Sequence, residues 1–373
     1  MAKTTKIQWC DSTVNPVMGC DGCELYSAPG VLLAAMDRTL LDAGCPGWQQ
    51  GMSREVTRQA LATAWAKVDQ PKAGHVNDIT TTNIRHLRHM IGERVASQFG
   101  KSAGKTIVHA IERHLTCYAA QLHANRGRSI VNPGRQVNRG YAPTFEQVTQ
   151  MPGRVAETAK SCDLTGTARP EKPWLDGLPR LIFVSDMGDA LSQGIDFEFL
   201  LDEIIQTAES EKGRRHRWLW LTKRPGRMAK FSDWLLSHGH EWPANLWAGT
   251  SVTSPESYGR AKDLLSVGND RTTRFLSVEP QFASVDLTPN IGQYDWVIQG
   301  GESGGQANAR PFHLEWAKRL LDVCAEAGVP YFLKQLGSNV LCGGQRMKLS
   351  DGHGGDWAEW PASLRVRQMP DCG

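Results

Sequence analysis

The sequence has no apolar stretch long enough to span a bilayer. Residues 1–8 are polar and basic with no apolar run behind them, so no secretory signal is expected. Charge of one sign is also scarce: 42 basic residues face 39 acidic ones, a net charge of +3. That excess is too small to demand a nucleic-acid partner. The nine cysteines are an odd number spread over 373 residues, which argues against a disulfide framework and for a reducing, cytoplasmic setting. What the chain does have is 40% hydrophobic residues, 22% charged residues and thirteen tryptophans. This is globular composition with ample material for a core, and its length suits one large domain with an insertion, or two domains.

Cysteine spacing is the first positive signal. Gly19-Cys20-Asp21-Gly22-Cys23 is a glycine-flanked Cys-x-x-Cys, and Thr116-Cys117-Tyr118 follows nearly a hundred residues later. Cys20, Cys23 and Cys117 suit an iron–sulfur cluster, whose usual ligands are thiolates. Three ligands on four irons leave one iron open for a substrate or S-adenosylmethionine. Cys-x-x-Cys also fits a zinc knuckle or a redox pair, and three buried thiols are the plain competitor.

Between the cysteines, residues 24–116 read as a separate helical unit. Residues 31–41 are helix-prone. Ser53 is placed to cap a helix through residue 68, where Val56, Ala60, Ala64 and Val68 recur every four residues. Gln70-Pro71 to Gly74 is a break, and 83–99 and 105–123 are two more helices. His86 and His89 are read as solvent-facing rather than metal-binding. Arg85, Arg88, Arg94 and Lys101 give the unit a basic character. From Arg113 to Phe145 no acidic residue occurs, while Arg113, Arg126, Arg128, Arg135 and Arg139 do. A loop of this kind binds phosphate or is simply solvated.

After Gly177 the pattern becomes regular. Apolar runs at 181–184, 218–221, 246–248, 274–278, 296–298 and 331–333 alternate with helical stretches near 197–210, 226–237, 256–265 and 314–327. Continuous apolar strands separated by helices predict a parallel sheet. Six strands, with a seventh from the N-terminal segment, predict an α/β fold: a partial or full (β/α) barrel of about six to seven parallel strands. Trp218, Trp220, Trp247 and Trp296 lie in these runs and are expected in the core.

Polar residues gather just past the strand ends: Ser185, Asp186 and Asp189; Thr222, Lys223 and Arg224; Thr250 and Ser251; Glu279; Gly300, Gly301, Glu302 and Ser303; Lys334 and Gln335. Barrels and open α/β sheets place their sites there. Singly, Ser185, Asp186, Thr250 or Ser251 also read as helix caps; as a set they point to an enzyme.

Lys6-Ile7-Gln8-Trp9, Asn15-Pro16-Val17, Gly19-Cys20, Cys117-Tyr118-Ala119, Phe183-Val184-Ser185-Asp186-Met187, Leu221-Thr222-Lys223-Arg224-Pro225, Ser277-Val278-Glu279-Pro280, Gly300-Gly301-Glu302-Ser303-Gly304, Phe332-Leu333-Lys334-Gln335 and Asp356-Trp357-Ala358-Glu359-Trp360-Pro361 together resemble a phage-associated three-cysteine family. That family is itself similar to the radical S-adenosylmethionine enzymes and distantly to spore photoproduct lyase. The resemblance covers residues 4–23 and from 113 to the end. It departs from the family at 24–116, which separate the second and third cysteines. The expected domains are therefore a barrel of 1–23 and 117–373 and an inserted helical domain of 24–116.

The resemblance implies a [4Fe-4S] cluster on Cys20, Cys23 and Cys117, and S-adenosylmethionine as cofactor. Ser185, Asp186 and Asp189 would hold the methionyl amine; Thr250 and Ser251 would face ribose or carboxylate. Gly300 and Gly301 would admit adenine. Thr222, Lys223 and Glu302 would complete the cofactor site, and Glu279 and Lys334 are candidates for catalysis. The implied substrate is a nucleotide or nucleic-acid base, in DNA modification or repair-like chemistry, with a flavodoxin- or ferredoxin-like electron donor and no membrane. The alternative is a nucleic-acid-binding protein in which the cysteines hold structural zinc.

Overall fold

A computed structural model describes residues 5–69, 76–127, 129–131, 140–304 and 309–371. It divides into two compact units. The barrel unit comprises Met1–Pro16, Pro152–Asp186 and Gly194–Gly373; the helical unit comprises Val17–Met151 and Met187–Gln193. This division differs from the 24–116 boundary expected above. The helical unit begins at Val17, so it contains Cys20, Cys23 and Cys117 together. Arg128, Asn132-Pro133-Gly134, Arg135, Arg139, the break at 70–74 and Cys372 lie outside the described residues.

Seven parallel strands build the barrel unit: β1 Ser12–Val14, β2 Arg180–Val184, β3 His216–Thr222, β4 Leu246–Ser251, β5 Arg274–Val278, β6 Trp296–Gly300 and β7 Tyr331–Gln335. Each pairs in parallel with the next, in sequence order from β1 to β7. The sheet curls into a partial (β/α) barrel flanked by helices. Buried on both faces, the strands carry near-continuous apolar runs, as parallel strands must. The four strand tryptophans are all buried.

Local chemistry sets the covering helices. Pro225 opens the helix Pro225–Ser237 at a position that needs no N–H. The helix Leu314–Glu326 buries Leu314, Ala317, Leu320 and Cys324 at helical spacing. The stretch expected as one helix near 197–210 instead contains a π-turn at Leu201–Ile205. There Glu203 accepts the N–H groups of Gly153 and Val155 at 2.7 and 2.8 Å.

The segment before β1 closes one end of the inner face. Trp9 packs against Phe183, Phe275 and Trp296, with ring centroids 4.6, 6.4 and 6.3 Å apart. Lys172 donates to the carbonyls of Thr5, Ile7 and Cys10, and Arg169 pairs with Asp11 at 2.8 Å. At the other edge of the sheet, Leu333 N–H bonds to Val366. The Arg367 guanidinium lies 4.2 Å from the Trp174 ring, so the tail covers β7.

The helical unit holds α1 Pro29–Asp42, α2 Met52–Trp65, α3 Thr81–Phe99, α4 Lys101–His114 and α5 Tyr118–Arg126. Ser53 does not cap α2: it lies inside the helix and its hydroxyl donates to Leu33 O. The capping anion comes from α1 instead. Asp37 accepts the N–H groups of Gly51 and Ser53 at 2.7 and 2.9 Å, where the helix dipole favours negative charge. The helix expected over 105–123 is two helices. Leu115 bridges to Tyr26 in strand fashion, and that tertiary pairing overrides local propensity. Helices α3 and α4 meet closely through glycine: a Cβ on Gly104 would lie 2.5 Å from Gly92 O. His89 is exposed and His86 half-buried. Arg85 donates to Leu115 O, Arg88 pairs with Glu112 at 3.1 Å and Arg94 bonds Thr63, so these arginines hold helices together. No helix among the described residues is long and apolar enough to cross a membrane.

Candidate functional site

Alternation along the strands sorts the strand-end residues onto two faces. Leu219, Trp247, Phe275, Trp296, Ile298 and Phe332 share one core cluster with Trp9 and mark the inner face. Two residues on from Leu221, Lys223 continues that face. So do Ser251 after Gly249, Glu279 after Ser277 and Lys334 after Phe332. Contacts agree: Lys223 Nζ donates to Ser251 Oγ at 3.2 Å, and Lys334 pairs with Glu279, both largely buried. The inner face thus changes from aromatic to polar toward the C-terminal strand ends.

Thr222 and Thr250 fall on the opposite face. Thr250 Oγ1 donates to Thr222 O at 2.9 Å, and Thr222 Oγ1 accepts from Arg224 N–H at 2.9 Å. Glu302 is bound by Arg310, whose Nε, Nη2 and backbone N–H donate to its carboxylate at 2.8, 2.7 and 2.9 Å. Gly300 leaves room for the ion pair: a Cβ there would lie 3.3 Å from Glu279 Cγ. At Gly301 a Cβ would lie 2.1 Å from Leu336 O, so its bareness serves packing with the chain after β7.

Ser185 and Asp186 stand at the end of β2. Ser185 has φ +76°, and it alone among the described non-glycine residues has positive φ. Its backbone N–H donates to Val14 O at 2.9 Å. Among the described residues its hydroxyl is buried without a hydrogen-bond partner. Both features cost free energy. Burial pushes the Asp186 carboxyl above its ordinary range, and hydrogen bonds from Asn15 and Thr13 offset part of that rise. Of these two partners, Asn15 entered the sequence reading only within the motif Asn15-Pro16-Val17, and Thr13 was not singled out. Asp189 lies in the helical unit, where it accepts the Leu191 N–H at 3.0 Å within its own turn.

A cavity of about 580 Å³ lies at the opposite, N-terminal strand ends, lined by Arg214, Arg217, Trp242 and Trp247 among others. Its charges are mixed, and Arg271 pairs with Glu241 on its wall.

The helical unit assembles the cysteine segments through backbone pairing. Gly19, at φ +88°, turns the chain so that Cys20 N–H reaches Phe145 O at 2.8 Å. Cys23 and Tyr26 exchange N–H···O bonds at 2.9 and 3.1 Å, and Cys117 N–H donates to Leu25 O at 2.8 Å. The third cysteine is therefore held beside the turn that carries the second. Cys20 is buried and Cys23 and Cys117 are half-buried. Beneath them the Tyr26 hydroxyl meets Thr81 Oγ1 at 3.1 Å, and Thr81 donates to Glu146 at 3.0 Å. Burial raises the Glu146 carboxyl, and burial then Glu146 raise the Tyr26 phenol. Among the described residues, no group of three or more His, Cys, Asp or Glu side chains is placed to hold a metal ion.

Residues 110–361 match the model of a family described as a protein of unknown function, DUF5131. The match covers more than half of the chain, which therefore belongs to that family. No curated protein matches the chain, and no solved structure does.

Proposed function

We propose that this member of the DUF5131 family is a radical S-adenosylmethionine enzyme acting on a nucleotide or a nucleic-acid base. The observation that carries the reading is Ser185. A strained backbone and an unpartnered buried hydroxyl, at the C-terminal end of a barrel strand, are what a ligand site retains at a cost to stability. Beside it stand a carboxyl that burial holds toward its neutral form and a polar inner-face layer over an aromatic floor.

Cys20, Cys23 and Cys117 would hold the [4Fe-4S] cluster. The donor set supports this: three thiols, two of them half-buried, on a backbone turned at glycine. A cluster asks for one thiolate per iron rather than three sulfurs converging on a point. A structural zinc asks for four close ligands, and the described residues offer no such group. When bound, the cluster and S-adenosylmethionine supply one-electron radical chemistry, and the protein supplies binding and orientation.

For the chain's own residues the roles follow from their contacts. Asp186, with Asn15 and Thr13 behind it, would pair with the methionyl ammonium, and Ser185 Oγ would donate to the carboxylate. Lys223 with Ser251 would bind a second anionic or hydroxyl group of the cofactor. The Glu279–Lys334 pair would meet the substrate, Lys334 as donor and Glu279 as acceptor. A flavodoxin- or ferredoxin-like protein would deliver the electron. Resemblance to a phage-associated family and to a lyase of damaged bases supports the nucleic-acid substrate. A base in a duplex would have to be extruded to be reached.

The test is anaerobic reconstitution with iron and sulfide, then incubation with S-adenosylmethionine and a strong reductant. The expected result is a brown protein that releases deoxyadenosine, with most iron lost in Cys20→Ala, Cys23→Ala or Cys117→Ala and retained in Cys324→Ala. A colourless zinc protein, or full iron in Cys117→Ala, would sink the reading.

A further inference from the structure

On the helical unit a second feature stands apart from the cysteines and from the barrel. Lys105, His109 and Arg113 recur every four residues on α4, one per turn over about 12 Å of helix axis. All three are exposed. With Thr39 from α1, and with Thr106 and His114, they line a cavity of about 400 Å³ that holds no carboxylate among the described residues. Among the described residues none of the three has an ion-pair partner. This sets them apart from Arg88, which Glu112 neutralises, and from Arg85 and Arg94, which are spent on neighbouring helices.

We infer that this groove binds the phosphodiester backbone of a nucleic-acid strand. Lys105 and Arg113, two charges of one sign left unneutralised on a rigid element with the His109 imidazole between them, form a potential that attracts an anion. Their rigidity is built in: Ala103, Ile107, Ala110 and Ile111 bury the rest of α4, so the stripe is fixed outward. The series decides the type of anion. Lys105 and Arg113 stand two turns apart, about 12 Å along the axis, so a compact ion meets one of them at a time, whereas a strand offers one charge per nucleotide and reaches both. Backbone contacts of this kind position a nucleic acid without reading its sequence. The inference does not need the cluster, and it would hold for a binding protein as well as for an enzyme.

The experiment uses the full-length protein and a short fluorescent single-stranded oligonucleotide, with anisotropy read across a salt series. Lys105→Gln/Arg113→Gln removes two charges from the groove. Lys230→Gln/Lys318→Gln removes two exposed charges from the barrel unit as the matched control. The groove variant should lose about tenfold in affinity at low salt, with a salt slope lower by about 1.4, while the control stays within about twofold. Lys105→Arg/Arg113→Lys should restore binding, which separates charge from fold. Equal losses in the two double variants would overturn the inference. So would displacement of the oligonucleotide by AMP or inorganic phosphate at equal phosphate concentration, which would make the groove a mononucleotide or phosphate site.

Discussion

The two ends of the barrel's inner face are built from the same strands and do opposite things. Toward the strand starts, Trp9, Trp247, Phe275 and Trp296 fill the interior, with tilted and edge-on ring contacts between 5.8 and 6.4 Å among the last three and Trp9. Toward the strand ends stand Ser251 and Glu279, four residues on from Trp247 and Phe275, together with Lys223 and Lys334 and with Ser185, unsatisfied among the described residues, beside them. The first end spends burial on stability. The second keeps charge, strain and an orphaned hydroxyl where apolar packing would have been more stable. The comparison teaches that a parallel barrel divides the two tasks along the strand axis, so that a site can be costly without threatening the fold.

The largest effect should come from the aromatic end. Trp296→Ala removes a fully buried indole and should cost about 3–5 kcal/mol, read as a lower urea midpoint. A loss below about 1 kcal/mol would mean that this end is not the barrel's anchor. Next comes the ion pair. Lys334→Met or Glu279→Gln alone leaves one largely buried charge, at about 2–3 kcal/mol once partial exposure is allowed for. The double variant should cost less than either single one. Additive losses would show that the two side chains are not coupled.

A smaller effect of the opposite sign is expected at Ser185. Ser185→Gly relieves the positive φ and should stabilise by about 1 kcal/mol, while weakening S-adenosylmethionine binding measured by calorimetry. Unchanged affinity would leave Ser185 as strain without a task. The smallest is a pH effect at Asp186. Burial raises its folded-state carboxyl above the unfolded value. Its contribution is therefore fully present below the ordinary carboxyl range and lost as pH rises through the folded value. Asp186→Asn removes that loss, so the melting temperature of the variant relative to the parent should be higher at neutral pH than in acid. A difference independent of pH would remove Asp186 from the titrating groups.

How far the site could be read from sequence depended on what each residue needed. Lys223, Ser251, Glu279 and Lys334 were visible because a strand end is visible, and alternation then assigns the face. Thr222, Thr250 and Glu302 looked the same in sequence. Only their partners separate them: a carbonyl one strand away for Thr250, and Arg310, eight residues on, for Glu302. Asp37 as the cap of α2 was beyond local reading, because the anion comes from another helix. The stripe of Lys105, His109 and Arg113 carried a four-residue signal inside the expected helix, but only the structure separates it from Arg85, Arg88 and Arg94, which bind Leu115, Glu112 and Thr63.

The sequence by itself determined the seven-stranded parallel architecture, because a strand buried on both faces must be continuously apolar and that pattern is local. It determined the helical character of the unit between the cysteines for the same reason of periodicity. The tertiary structure alone decided where the units divide. It also broke the helix at Leu115–Cys117, where pairing with Leu25 and Tyr26 replaces helical hydrogen bonds. It decided as well which polar groups are satisfied. Partner choice for a buried donor or acceptor depends on groups tens or hundreds of residues away, and no local pattern carries that information.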